Sequence, residues 1–262
     1  MPTQRYKLTI GYRGTNYHGW QTQAANEFWK GPKPKPGHGI PTVQENVKRA
    51  IESVVGHPIG LVGSSRTDTG VHAKAQLAHF DTDRVQIPAQ NIVDAANHRL
   101  PDDILIKAIE PVPDTFDAIS STVSKRYQYF IWNNESRPIF FPDLVWHRIV
   151  ILDAAAMREA AQYFVGEHDF ASFARPRQTR ENTIRTIYNC DVSCRLPRMV
   201  IGIEGNGFMW NMIRIIIGTL VEVGMKHYPP KRVKEMLEAR DRRAAGPTAP
   251  PQGLFLQWIK TV

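Results

Sequence analysis

The chain has 262 residues and 42% of them are hydrophobic, which suits one large domain or two ordinary ones and argues against a disordered protein. Its 33 lysines and arginines exceed its 25 aspartates and glutamates, giving a formal charge of +8. This excess favours a polyanionic partner such as nucleic acid, although basic proteins without one are about as common. The start of the chain has no apolar signal region, and the most apolar run, residues 209–225, carries charges and is too short to span a bilayer. We therefore expect a cytoplasmic protein with no membrane segment.

The first half of the chain predicts six elements in the order β-α-β-β-α-β, the ferredoxin-like arrangement. Thr42 and Glu45 form a capping box, and the apolar residues behind them recur at helical spacing. A second helix is predicted after Pro88. Alternating or short apolar runs predict strands over residues 5–12, 59–63, 76–82 and 104–112.

The second half of the chain repeats this order of elements. Asp153 is placed to cap a helix that runs through Val165. The inward-facing positions of that helix are predicted to be Ala156, Ala160, Tyr163 and Phe164. Further helices are predicted over residues 209–223 and after Pro230, with strands over residues 123–132, 184–194, 199–205 and 254–262.

The order of elements predicts an α+β fold made of two βαββαβ halves. We expect the division at residues 1–112 and 113–262. Joined edge to edge, the two sheets would form one mixed, largely antiparallel sheet and cover each other's exposed strand edges. Helices would then lie on one face of this sheet, with a basic catalytic cleft on the other.

The most informative run is SRTDTGVHA, residues 65–73, which places Asp68 in a short polar loop between two predicted strands. A carboxylate on a tight loop beside an arginine is a poor core residue and a good candidate for chemistry. Asp-Thr-Gly is also the triplet of aspartic proteases, but their mechanism needs a second such triplet and this chain has none. A metal role lacks neighbouring acidic ligands. A plain turn residue remains the alternative.

Two other segments carry residues suited to chemistry. Arg214 lies in the otherwise apolar helix GFMWNMIRIIIGTL, where a guanidinium must find an anion or extend to water. It would either pair with Asp68 or reach solvent at the helix end. In the strand KRYQY, alternation places Tyr127 and Tyr129 on one face, as a platform for a base or as ordinary core residues.

Three features of the chain are ambiguous. Residues 24–40 are rich in proline and glycine, and Lys33 and Lys35 in this stretch would contact phosphates or belong to a solvated loop. Arg175, Arg177 and Arg180 form a basic cluster with the same two interpretations. Cys190 and Cys194 lie on a predicted strand without further zinc ligands, which favours reduced thiols over a metal site.

Taken together these segments resemble the tRNA pseudouridine synthase I family, usually called the TruA family. The resemblance covers nearly the whole chain and is strongest at the Asp68 loop. It is carried by GYRGTNYHGWQ, RTDTGVHA, RLPDDI, SKRYQYFIWN, GEHDFASF, GFMWNMIRIIIGTL and GLFLQWI. The chain departs from common bacterial members at Ser64, Ser65 and Thr69, all small residues, and in the longer stretch over residues 24–40.

The resemblance implies an isomerase that converts uridine to pseudouridine in the anticodon stem-loop of tRNA, at positions 38 to 40, without a metal or organic cofactor and as a homodimer. Asp68 would be the nucleophile and Arg214 its ion-pair partner. Tyr127 would stack on the target base, and Arg66 would help to keep that base out of the helix. Attack on the sugar C1′, attack on the base C6 and a glycal route all remain open. The rival is a non-catalytic RNA-binding module of the same fold, which would need neither Asp68 nor Arg214.

Overall fold

The computed structural model describes residues 2–23, 40–175 and 182–262. Backbone contacts group the chain into two units, unit 1 with Met1–Val123 and Leu256–Val262, and unit 2 with Ser124–Phe255. The division into domains at residues 112 and 113 stays a prediction. Lys33, Lys35, Arg177 and Arg180 lie outside the described residues, as does most of the stretch 24–40.

Unit 1 has the strand order of a ferredoxin-like fold. Its strands are β1 (Gln4–Tyr12), β2 (Val62–Gly63), β3 (His72–Thr82) and β4 (Ile104–Val112). Strand β1 pairs antiparallel with both β3 and β4, and β2 pairs antiparallel with β3. The resulting order, β4-β1-β3-β2, is the one expected when two βαβ units interleave.

The two helices of unit 1 follow from local sequence signals. Helix α1 (Val43–Val55) begins at Thr42, whose hydroxyl accepts a hydrogen bond from the amide of Glu45, which confirms the predicted cap. It ends at Gly56, which has a φ of +77°. Helix α2 (Ala89–Asn97) buries Ile92, Val93 and Ala96. The two helices pack on each other, and α2 also packs against β4.

Unit 2 repeats the strand order. Its strands are β5 (Thr122–Asn133), β6 (Trp146–Arg148), β7 (Gly166–Asp169), β8 (Ile184–Arg195) and β9 (Arg198–Gly205). β9 lies between β5 and β8 and is antiparallel to both, which repeats the first-third-second order of unit 1. Two of these strands, β6 and β7, are absent from the sequence prediction. β6 runs parallel to β5, and β7 pairs antiparallel with β8.

The helices of unit 2 are α3 (Ala154–Gln162), α4 (Met212–Gly224) and α5 (Arg232–Ala239). The closing strand β10 (Leu254–Thr261) has residues 256–261 in unit 1, beside β3. In the described part of the chain there are thus five α-helices, and the α+β fold class is confirmed. None of the helices in those ranges is both long enough and apolar enough to cross a membrane.

The predicted helix at Asp153 is right in its start, wrong in its end, and right about two of its four inward-facing residues, Ala160 and Phe164. Asp153 accepts hydrogen bonds from the amides of Ala155 and Ala156, as a cap should. The helix ends at Gln162, and its buried side chains are Met157, Ala160, Ala161 and, just beyond the end, Phe164. Met157 rather than Ala156 turns inward because it packs on the bare backbone of Gly224 in α4.

The predicted strand over residues 59–63 forms a ladder only at Val62–Gly63. Side chains of α1 take the backbone groups that would otherwise pair: Glu52 accepts from the amide of Ile59, and Gln44 donates to the carbonyl of Leu61. The following strand starts at His72 rather than at the predicted Gln76, since β1 pairs with β3 as far as Tyr12↔Ala73. The earlier start of β3 shortens the loop that carries Asp68.

Candidate active site

The loop carrying Asp68 is fixed through the backbone and polar side chains of its neighbours. The side chain of Gln76, fully buried in β3, donates to the carbonyl of Ser65 and accepts from its amide. Thr67 and Tyr12 share a hydrogen bond of 2.8 Å between their hydroxyl groups. Asp68 is half-buried, and Arg66 is exposed. The loop therefore presents a carboxylate and a guanidinium from a backbone with little freedom to move.

Two glycines of the segment GYRGTNYHGWQ allow this segment to lie directly against the Asp68 loop. A Cβ atom at Gly14 would lie 2.0 Å from the carbonyl oxygen of Val71. Gly19 has a φ of +84°, and a Cβ there would lie 2.4 Å from the carbonyl oxygen of Thr67. Only glycine fits both the space and, at Gly19, the backbone conformation.

Asp103, which immediately precedes β4, holds the segment GYRGTNYHGWQ in place through hydrogen bonds. Its carboxylate accepts hydrogen bonds from the hydroxyl of Tyr17 and the side-chain amide of Asn16, and its carbonyl accepts from the amide of Arg13. Burial, followed by the hydrogen bond to Asp103, raises the pKa of Tyr17, which stays a neutral donor. The carbonyl of Tyr17 in turn accepts from the amide of Gly70, at 3.2 Å. In the sequence, Asp103 was part of the resemblance but had no assigned role.

Substitution of Gly19 tests how much the loop depends on this close approach. We expect Gly19→Ala to lower the free energy of unfolding by at least about 2 kcal/mol, because it adds a clash with Thr67 to an unfavourable φ. Gly56→Ala is the matched control: its φ is +77°, but nothing lies within 4 Å of the added Cβ, so only the conformational cost of about 1 kcal/mol applies. Urea denaturation measures both. Equal losses in the two variants would contradict the proposed contact.

In unit 2, Arg214 is fixed by two neutral acceptors. Its Nε donates to the carbonyl of Ala249 at 2.8 Å, and its Nη1 donates to the side chain of Asn211 at 2.9 Å. Asn211 immediately precedes α4 and has a φ of +61°, a left-handed conformation that asparagine adopts more readily than most residues other than glycine. The guanidinium is half-buried and oriented by these two hydrogen bonds, and its pairing with Asp68 stays a prediction.

The segment of residues 245–250 is what brings the carbonyl of Ala249 to Arg214. It can approach α4 because Gly218 and Gly246 lack side chains: a Cβ at Gly218 would lie 1.8 Å from the carbonyl oxygen of Pro247. Thr219 accepts a hydrogen bond from the amide of Gly246 at 3.0 Å. The same segment ends at Pro250, whose carbonyl accepts from the hydroxyl of Tyr129.

Tyr127 and Tyr129 lie on the same face of β5, which confirms that part of the prediction, and both are buried. Tyr127 packs edge-to-face on Phe208, with 5.5 Å between the ring centroids. Phe208 belongs to the glycine-bounded turn before α4. The Phe208 ring can lie against the end of β9 because Gly205 has no side chain; a Cβ there would lie 3.2 Å from the Cζ atom of Phe208. Phe208 thus limits the rotation of Tyr127, a role that sequence analysis missed.

Lys125 is a second residue of this face that sequence analysis left without a role. The register of β5 against β9 is unbroken from Lys125 to Trp132, so Lys125 shares the face of Tyr127. Its partner across the ladder is Gly205, which has no side chain. Burial lowers the pKa of Lys125 to about 8. Arg126, on the opposite face, instead pairs with Asp191 at 2.6 Å.

The lowered pKa of Lys125 makes a prediction about stability and pH. Between about pH 8 and its ordinary value of 10.5, the unfolded chain keeps a proton that the folded chain has released. The free energy of unfolding should therefore gain a contribution from Lys125 as pH rises through this window. Lys125→Met removes that contribution, so the parent should gain stability on the variant between pH 8 and 10.5 in urea denaturation. If the difference in unfolding free energy between parent and variant stayed constant over this pH range, the lowered pKa of Lys125 would be contradicted.

Comparison with known protein families identifies the family to which the chain belongs. The family profile described as tRNA pseudouridine synthase matches residues 11–119 and 160–260. The chain belongs to the tRNA pseudouridine synthase family. Asp68, Arg66 and Arg214 lie within the ranges matched by this pseudouridine synthase profile, and Tyr127 lies between them.

Relatives of the pseudouridine synthase family match over nearly the whole chain. The tRNA pseudouridine synthase A of Thermoanaerobacter sp. (strain X514) is 41% identical over 249 residues, which are 95% of this chain and 96% of that protein. That of Ruminiclostridium cellulolyticum is 42% identical over 257 residues, 98% of this chain and 99% of that protein. A chain of the archaeal box H/ACA sRNP Nop10-Cbf5 complex aligns at a TM-score of 0.34 and 12% identity, covering 91% of this chain and 68% of that chain. A structural similarity this low supports no conclusion about this chain.

Proposed function

We propose that this chain isomerises uridine to pseudouridine at positions 38 to 40 in the anticodon stem-loop of tRNA, with Asp68 as the nucleophile. As a pseudouridine synthase it is an isomerase that acts on tRNA. The observation that carries the proposal is the family match over the Asp68 loop, joined to the geometry of that loop. Its backbone is fixed by Gln76, by Tyr12 and by the two close glycines, while the carboxylate remains half-buried.

The reaction breaks the N1–C1′ bond, turns the uracil and forms the C5–C1′ bond. The C5 proton is lost and N1 takes up a proton, so the product is an isomer of the substrate. A base in a helical stem must first leave its stack, at a cost of a few kcal/mol. Arg66 is exposed beside Asp68 and suits the role of holding the base out. An ionised Asp68 then divides one difficult step into two easier ones by forming a covalent intermediate, or assists a glycal route.

Tyr127 and Arg214 complete the proposed machinery. We assign to Tyr127 the stacking of the detached uracil, with its ring position limited by Phe208, and help in moving the C5 proton through its hydroxyl. We assign to Arg214 the ion pair with Asp68. Because Ala249 and Asn211 orient its guanidinium before substrate binds, the arginine would not need to be ordered during the reaction.

The direct test is release of tritium from a tRNA transcript labelled at uridine C5. The expected result is one tritium released to water for each uridine converted, with pseudouridine mapped to the anticodon stem-loop. A non-catalytic RNA-binding module would retain tRNA and release none. Pseudouridine formed only outside the stem-loop would contradict the assigned region while leaving the activity in place.

The basic residues of the chain suit contact with the RNA backbone. We propose Lys33, Lys35, Arg175, Arg177 and Arg180 as phosphate contacts, of which Arg175 lies in the described part of the chain and is exposed. Each would strengthen binding without reading sequence. Since the substrate is tRNA, we place the enzyme in the cytoplasm.

We further propose that the enzyme is a homodimer. The segment of residues 134–151 carries large, exposed apolar side chains. Phe140 keeps 76% of its surface accessible, and Phe141 keeps 68%. The others are Ile139, Ile149, Val150 and Ile151. Apolar surface on this scale is typical of a protein interface.

Light scattering should give twice the 29.8 kDa of one chain. Phe140→Asp should halve that mass, whereas Val262→Asp, at an exposed apolar terminus, should not; a monomeric parent would contradict the proposal.

A further inference from the structure

On unit 2, Arg175 lies next to two residues that have no role so far, Trp210 and Arg242. The guanidinium of Arg175 lies over the ring of Trp210, 5.0 Å from its centroid, and the amide of Arg175 donates to the carbonyl of Trp210 at 3.2 Å. Arg175 is exposed, and Trp210 keeps 36% of its surface accessible. A guanidinium and an indole are thus held in a cation–π contact at the protein surface.

Arg242 approaches the same place from another part of the chain. The short turn Ala171–Phe173, just before Arg175, packs against the turn Arg242–Ala244 and against α4. The side chain of Arg242 donates to the carbonyl of Ala245 and to the hydroxyl of Thr248, both at 3.3 Å and both uncharged. Burial lowers the pKa of Arg242, and the positive charge of Arg175 lowers it further.

The neighbouring residue shows what an ordinary surface arginine does in this turn. Arg243 pairs with Asp241 at 2.7 Å, so its charge is neutralised within the turn. Across residues 2–23, 40–175 and 182–262, neither Arg175 nor Arg242 has a carboxylate partner. Two like charges kept near each other, one of them half-buried, are unfavourable unless an anion joins them.

The chemistry of the three side chains identifies the anion. Paired guanidinium groups bind a phosphate through several N–H donors, and an exposed indole stacks on a flat heterocycle. A phosphate next to an unstacked base is the repeating unit of RNA loops. An acidic peptide would satisfy the arginines but would not supply a flat heterocycle to the exposed part of the indole.

We propose that Arg175, Trp210 and Arg242 form an RNA-binding site in which the two guanidinium groups bind a backbone phosphate and Trp210 stacks on an adjacent unpaired base. The site rests on the proposed function for the identity of the RNA. Thr248, which Arg242 contacts, immediately precedes Ala249, the residue that orients Arg214. RNA bound to Arg242 would therefore contact a side chain that is hydrogen-bonded to the segment that orients Arg214.

Binding of an unmodified tRNA transcript to the full chain, measured by fluorescence anisotropy over a series of KCl concentrations, tests the site. We expect Arg242→Gln to weaken binding about 5- to 100-fold and to reduce the slope of log affinity against log salt by about 1. Trp210→Ala should weaken binding by a similar factor, with the salt slope unchanged, and Trp210→Phe should recover part of the loss. Arg243→Gln, the matched control, should bind like the parent.

A second arm uses polyphosphate, which has the charge of RNA and no bases. Arg242→Gln should weaken polyphosphate binding, and Trp210→Ala should leave it unchanged; an equal loss in both would overturn the stacking role. If Arg242 only supports the segment of residues 245–250, its variant will lower kcat at saturating tRNA with the affinity and salt slope of the parent. That result would overturn the phosphate site. A parent that binds tRNA with this pattern but releases no tritium would refute the proposed function and leave this site supported.

Discussion

Asp68→Asn is expected to abolish pseudouridine formation, with a loss of at least about 10⁴-fold in single-turnover tritium release, as for removal of a nucleophile in other enzymes. Asparagine has nearly the shape of aspartate but cannot form the covalent intermediate or carry the negative charge. The variant keeps the loop contacts of Ser65 and Thr67 and those of the backbone of Asp68 and Gly70, so it should fold normally. Affinity for tRNA should change little, since phosphate contacts dominate it.

The matched control for this substitution is Asp102→Asn. Asp102 is an exposed acid in the same unit, and its replacement removes the same charge from the surface. The control should release tritium at the rate of the parent. If Asp68→Asn turned over within tenfold of the parent while remaining folded, Asp68 would not be the nucleophile and the mechanism proposed for this family member would fail.

Arg214→Lys is expected to lower kcat by roughly a hundredfold, although it keeps the positive charge. Lysine cannot donate to the carbonyl of Ala249 and the side chain of Asn211 while also directing a fork of N–H groups at a carboxylate. Misplacement of a positioning group by about 1 Å is enough for a loss of this size. Arg214→Ala should be more severe, since it also removes the charge. Single-turnover rates at saturating tRNA measure both.

The dependence of the rate on pH separates an electrostatic role of Arg214 from a structural one. If Arg214 stabilises the ionised form of Asp68, the acid limb of the rate profile should move to higher pH in Arg214→Ala, because the carboxylate then loses its cation. The control is Arg158→Lys on α3, whose Nε donates to the carbonyl of Val192 in the same way. It should keep both the rate and the profile of the parent. An Arg214→Ala profile of unchanged shape would argue against the ion pair.

Much of the fold could be predicted because the signals that set it are local. The hydroxyl of Thr42 and the carboxylate of Asp153 cap the helices that follow them, as their positions in the chain indicate. Alternation along β4 and β5 predicts these strands to within a residue, and it places Tyr127 and Tyr129 on one face. Each of these signals acts between residues close in sequence, so the sequence alone contains it.

The errors lie where distant residues compete for the same groups. The strand predicted over residues 59–63 is reduced to two residues because side chains of α1 bond its backbone. The buried face of α3 includes Met157 instead of the predicted Ala156, because Met157 fits against Gly224, which lies far along the chain. Strands β6 and β7 have no strong alternation of their own and exist because β5 and β8 offer partners.

The sequence by itself determined the α+β class, the capped helices and the family, with Asp68 on a short polar loop. Only the tertiary structure decided how that carboxylate and Arg214 are fixed. Gly14 and Gly19 matter because they let one backbone lie against another, and Ala249 matters through its carbonyl group. Contacts of this kind depend on backbone atoms that every residue has, so no side-chain pattern in the sequence predicts them. They arise when the fold brings distant segments together.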